Sequence, residues 1–121
     1  MPRRVLDESR RHPAIREVVA THYGDVVDEV EAALGAHAVV VVGMSGNPWV
    51  GRARRALTAA GVPFHYIGHG SYLSEWRRRN ALKMWTGWPT FPMVFVKGSL
   101  VGGAQDLQRL IDGGELKRLI G

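Results

Sequence analysis

Cysteine is absent from this chain, and that absence removes whole classes of chemistry. Without a thiol there is no disulfide, no thiolate metal site, no cysteine-ligated iron–sulfur cluster and no cysteine nucleophile. Long apolar runs are missing too. The longest, the valines that follow Ala38, stops at Gly43 and is far too short to span a bilayer. The N-terminal stretch MPRRVLDESRR is charged and lacks the apolar core of a secretory signal. The expectation is therefore no membrane and a cytoplasmic location. No Ser-His-Asp or paired-carboxylate spacing stands out either.

What is present fits one domain: 121 residues are enough for a proper core without covalent staples. A formal net charge of +5 tilts the surface towards anionic partners without choosing among them.

Hydrophobic spacing predicts helices in the N-terminal third. Ile15, Val18 and Val19 form one group, and Val26, Val27, Val30, Ala33 and Leu34 form another. Gly24 separates them, so the segment reads as two helices, or one helix broken there, with Asp25 as the cap of the second and an end at Gly35. The β-branched run over 38–43 reads as a strand covered on both faces. Asn47-Pro48 then supplies a preferred N-cap followed by proline at the first helical position. Val50, Ala53, Leu57 and Ala60 line one face of that helix, which Gly61 ends. A second strand is expected over 62–67, a third helical segment over 71–85 capped by Ser71, and a strand over 93–97. Lys97-Gly98 turns the chain so that Leu100 and Val101 pair back. Gly102-Gly103 leads into a helix, and Gly113-Gly114 into a last short one. A βαβ half, a helix and a ββα half together predict an α/β protein of the thioredoxin fold. Its sheet is four-stranded and mixed, with helices on both faces and an N-terminal helical extension. Residues 1–36 are assigned to that extension and 37–121 to the main domain.

The stretch WPTFPMVFVKGSLVGG, residues 88–103, closely resembles the segment of glutaredoxins that holds the cis-proline loop and the terminal hairpin. It is nearest to the monothiol CGFS type, and the resemblance runs from about residue 39 to the C-terminus. It implies a cis bond before Pro92 that turns the Thr90-Phe91 backbone outward, where glutaredoxins pair it with glutathione. It also implies close ligand approach at Gly103 and a carboxylate held at the helix start near Ala104.

The loop MSGNPWV, residues 44–50, raises a question in this setting. In the family the equivalent turn carries C-P-Y-C or C-G-F-S. Here Asn47 stands in the nucleophile's place, Pro48-Trp49 follow, and Val50 replaces the second cysteine or serine. An amide cannot attack sulfur or ligate a cluster, so thiol–disulfide exchange and iron–sulfur binding are both expected to be lost.

Other positions bear on whether glutathione binding survives. Arg79 falls where the family often places a cation, and Thr90 and Gly103 match. Met44 and Met84 replace basic residues, with Lys83 adjacent to the second. Gln105 replaces an aspartate that receives the ligand's ammonium, with Asp106 beside it. The candidate ligand-binding residues are thus Ser45, Asn47, Pro48, Trp49, Arg79, Thr90, Phe91, Pro92, Gly103, Gln105 and Asp106, with no catalytic or metal residues.

Three readings follow. In the first, a redox-inactive groove binds glutathione, a related thiol or a protein segment. In the second, a transferase- or isomerase-type enzyme activates the ligand's own thiol using Ser45, Asn47 and the helix dipole. In the third, an interaction protein with no ligand in the groove uses the basic, tryptophan-rich stretch over 75–88 and the N-terminal helices. That mixture of cations and indoles also suits nucleic acid, but core tryptophans with solvated arginines are the simpler account, and nucleic acid is not expected. His65 and His69, four apart on a strand, would lie roughly 13 Å from one another, too far for one metal ion.

Overall fold

A computed structural model describes residues 6–21, 24–43, 47–68 and 76–121. Its centre is β1 (Val39–Gly43), fully buried along its length. To one side β1 pairs in parallel with β2 (His65–Gly68), and to the other it pairs antiparallel with β3 (Met93–Val96). β3 in turn pairs antiparallel with β4 (Ser99–Gly102), giving the order β2-β1-β3-β4. This is the expected four-stranded mixed sheet. The continuous valine run is explained by what covers it. Val40 and Val42 pack on one side with Val26, Val30 and Ala33 of α2 (Gly24–Ala36) and with Ala81 and Leu82 of α4 (Trp76–Thr86). Val39 and Val41 pack on the other side with Ala53 and Leu57 of α3 (Pro48–Ala59), Leu107 of α5 (Ala104–Asp112) and Leu116 of α6 (Glu115–Ile120). A strand alternates its side chains between faces, so a strand between two helical layers has no position for a polar residue.

The N-terminal third holds a short 3-10 turn at Glu8–Arg10, α1 (Pro13–Thr21) and α2. Helix is described on both sides of residues 22–23, which lie outside the described residues. Asp25, expected as a cap, lies inside α2, which runs to Ala36 rather than ending at Gly35. Because Val26, Val30 and Ala33 are buried against the sheet, α2 shares the core of the main domain.

One boundary differs from the sequence reading for a local reason. β2 begins at His65, not at residue 62. The amide of Gly61 donates to Thr58 O and that of Val62 to Leu57 O, at 3.1 and 3.0 Å, with Gly61 at φ 71°. That is a Schellman closure of α3, so Val62 belongs to the helix end, and Pro63 has no amide to offer a strand. α4 starts at Trp76. The part of the expected helix over 71–75, including its cap Ser71, lies outside the described residues, as does His69.

The β3–β4 hairpin turns through Lys97 and Gly98, whose φ values of 51° and 82° are both positive, as a two-residue hairpin with the sheet's own twist requires. Further along, Val94 pairs with Gly102 but Phe95 pairs with Leu100. One residue, Val101, is therefore bulged out of the ladder just before the chain reaches α5.

Candidate functional site

The strand β1 ends at Gly43, directly below α3. A Cβ at Gly43 would stand 2.5 Å from a methyl of Val50, so only glycine lets this helix start so close to the strand. Asn47 then caps α3. Its Oδ1 accepts from the amides of Trp49 at 2.9 Å and Val50 at 3.4 Å, which satisfies two of the donors a helix start leaves open. The same side chain reaches across the groove: Nδ2 donates to Phe91 O, 44 residues away, at 3.4 Å. Asn47 is only 8% exposed, the one buried polar side chain among the described residues. The position aligned with a nucleophile holds a clamp.

Opposite stands the loop Thr90-Phe91-Pro92, with a cis peptide before Pro92. Phe91 is buried, Thr90 is exposed, and Lys83 of α4 lies 5.7 Å from the Phe91 ring centroid. The third wall is the start of α5. Intrahelical bonding begins with Leu107 N donating to Gly103 O at 3.0 Å, so the amides of Ala104, Gln105 and Asp106 have no intrahelical acceptor. Asp106 turns back and accepts from Gly103 N at 2.9 Å, while its other oxygen lies 3.6 Å from Arg109. Gly102 has φ 120°, and a Cβ there would strike the Asp106 carboxylate. Gly103 is different. A Cβ there would meet Pro92 O at 3.6 Å and Trp88 Nε1 at 3.9 Å, ordinary contacts, so a methyl would take groove space without disturbing the protein.

These walls enclose a groove of about 440 Å³. Asn47, Trp49, Thr90, Phe91, Pro92, Gly103, Gln105 and Asp106 all line it. Pro48 does not: it is exposed at the first position of α3. Ser45 and Met44 lie outside the described residues, and Arg79 is placed on α4 with its side chain outside the description. Met84, 54% exposed, is on α4 but not in the groove. Lys83, Trp88, Pro89 and Ala104 line the groove without having been nominated. Lys83 had a signal, since it neighbours the position where the family keeps a cation. Trp88 sits within the diagnostic motif. Its Nε1 is buried and has no hydrogen-bond partner.

The glutaredoxin family model matches residues 39–101, a little over half of the chain. A glutaredoxin-like protein of Dictyostelium discoideum is 40% identical over 114 residues, which cover 94% of this chain and 91% of that protein. The chain belongs to the glutaredoxin family. A probable monothiol glutaredoxin of Legionella pneumophila is 35% identical over 57% of the chain and 74% of its own length. Among solved structures, a buckwheat glutaredoxin–glutathione complex superposes with a TM-score of 0.70 at 19% identity, covering 83% of this chain and 91% of that one. That likeness concerns the fold. The alignment to the Dictyostelium protein also extends into the N-terminal helices, which the family model does not reach.

Family membership and the lack of cysteine together fit a redox-inactive form. Thiol–disulfide exchange needs a thiolate to attack sulfur, and this chain has none to give. No group of three or more metal-binding side chains occurs among the described residues, and no described helix is long and apolar enough to cross a membrane.

Proposed function

We propose that this glutaredoxin-family protein is a binding module whose groove takes glutathione, a related thiol or an extended protein segment, without thiol–disulfide exchange. The observation that carries this reading is the groove itself. Residues from the α3 cap, the cis-proline loop and the α5 start, all far apart in sequence, line one cleft of ligand size. Several features support an acceptor-bearing, partly anionic ligand. Ala104 and Gln105, whose amides open the α5 helix, line the groove, and Lys83 adds a cation. Trp88 Nε1 is a donor that no protein group accepts, and leaving such a group unpaired costs about 1–3 kcal/mol. Asp106, beside the open amides, stands where a ligand ammonium would find a carboxylate, although one of its oxygens already holds Gly103 N.

The enzyme reading has less support. It needs open donors at the start of α3 to stabilise a bound thiolate, but Asn47 already occupies the amides of Trp49 and Val50. A cytoplasmic setting, where glutathione is abundant and thiols stay reduced, is part of the proposal.

A titration followed by 1H–15N NMR tests it. Reduced and oxidised glutathione, each to millimolar concentration, are expected to shift the amides of Ala104 and Gln105 and the indole resonances of Trp49 and Trp88. Shifts absent from all four would refute the small-thiol form of the proposal.

A further inference from the structure

The outward side of α3 carries a feature that groove binding does not use. Its sequence, PWVGRARRALTA, contains three arginines and no acid. Arg52, Arg54 and Arg55 are all exposed, and no carboxylate among the described residues pairs with any of them. Arg52 and Arg55 lie three apart, so the like charges are helix neighbours, an arrangement that weakens a helix slightly unless something anionic offsets it.

Two of the guanidinium groups are held in place by aromatic rings. Arg52 Cζ sits 4.4 Å from the centroid of Trp49, and Arg54 Cζ sits 4.1 Å from that of Tyr66 on β2. Arg55 folds back along the helix, so that a Cβ on Gly51 would lie 3.1 Å from its Nη1. Between these cations is a depression of about 470 Å³ lined by Gly51, Arg54, Arg55, Thr58, Ala59 and Phe64. Solvated surface arginines usually sample many rotamers. Stacked ones have surrendered part of that freedom already, which lowers the cost of binding an anion.

We propose that this face docks an acidic segment of a partner protein. Arg54 and Arg55 take its carboxylates over the depression, and Arg52 continues the cationic strip to Trp49 at the groove rim. The chemistry favours carboxylate over nucleic acid for two reasons. Nucleobases bind by stacking on open aromatic faces, whereas Trp49 and Tyr66 each present a face covered by arginine. Nucleic-acid affinity also rises with the number of phosphates neutralised, and this strip offers three cations. A helix of 12 residues is about 18 Å long, the reach of five or six residues of extended peptide. The docking does not depend on what the groove holds.

Fluorescence anisotropy with a labelled oligoglutamate of about twelve residues tests the proposal, with single-stranded oligo-dT of equal length as the competitor probe. The double variant Arg54→Gln/Arg55→Gln is expected to weaken oligoglutamate binding about tenfold. The charge-matched variant Lys117→Gln/Arg118→Gln, on α6, is expected to change it less than about twofold. Arg54→Lys, which keeps the charge and loses the planar fork, should fall between them. Circular dichroism confirms that each variant is folded. Equal losses in the two double variants would mean diffuse attraction and overturn the proposal. So would absence of oligoglutamate binding, or tighter oligo-dT binding that depends on the same two arginines.

Discussion

Two helix starts face the groove, and they handle the same physical problem in opposite ways. Every helix begins with amides that lack partners and with a partial positive charge. At α3 the residue before the helix supplies the acceptor: Asn47 Oδ1 closes over Trp49 N and Val50 N, and its own donor ties down Phe91 O. At α5 the preceding residue is Gly103, which has no side chain, and the acceptor comes from inside the helix as Asp106 folds back to Gly103 N. The first start is neutral and sealed by the buried Asn47. The second leaves the amides of Ala104 and Gln105, two groove-lining residues, without intrahelical acceptors, with the Asp106 carboxylate next in the chain. The donors of Trp49 and Val50 are spent on Asn47, while those of Ala104 and Gln105 have no acceptor within their helix.

Substituting at each start breaks or sharpens this contrast. The largest effect is expected from Asn47→Cys, which removes the clamp and restores an attacking atom in a scaffold otherwise intact. Incubated with oxidised glutathione, this variant should form a mixed disulfide, releasing one reduced glutathione, and show the corresponding mass increase. The parent chain should show none. Asn47→Ala comes next. Loss of the cap together with the tie to Phe91 O should lower stability by about 1–2 kcal/mol, read from the urea midpoint. If Asn47→Ala proves as stable as the parent, the sealed start is not structural and the contrast fails.

Asp106→Asn is expected to cost less, about 0.3–1 kcal/mol, because an amide oxygen can still accept from Gly103 N and only the charge is lost. The smallest change belongs to a site remote from both starts. The carboxylate of Asp7 accepts from the hydroxyl and the amide of Ser9, at 2.6 and 2.8 Å, which hold it below its ordinary value of 3.8. With the folded value depressed, its contribution is complete above that ordinary value and is lost as pH falls through the lowered one. Ser9→Ala should move the Asp7 titration upward, as followed by carboxyl NMR. Groove resonances should stay unchanged.

Much of the fold was legible because its signals are local. The valine run, the Asn47-Pro48 cap and the Lys97-Gly98 turn each involve residues adjacent in the chain, and each appears where it was expected. β2 was drawn three residues too early because V62-P-F reads as strand by composition, while its first amide was already committed to closing α3. The site was harder. Asn47 was legible as a cap and as a missing nucleophile, but nothing in its neighbourhood signals a bond to a carbonyl 44 residues away. Lys83 and Trp88 enter the groove through the packing of α4 and its following loop, which no spacing rule encodes. The pairing of Arg54 with Tyr66 joins a helix to an edge strand and is equally invisible in one dimension.

The hydrogen bond from Asn47 to Phe91 has a consequence for the conditions under which the protein works. A cysteine in this place would change its size and charge each time its sulfur was oxidised, alkylated or capped. Here the same two walls are joined by an amide that peroxide and thiol reagents leave untouched. The tie between the two walls is therefore the same under reducing and under oxidising conditions.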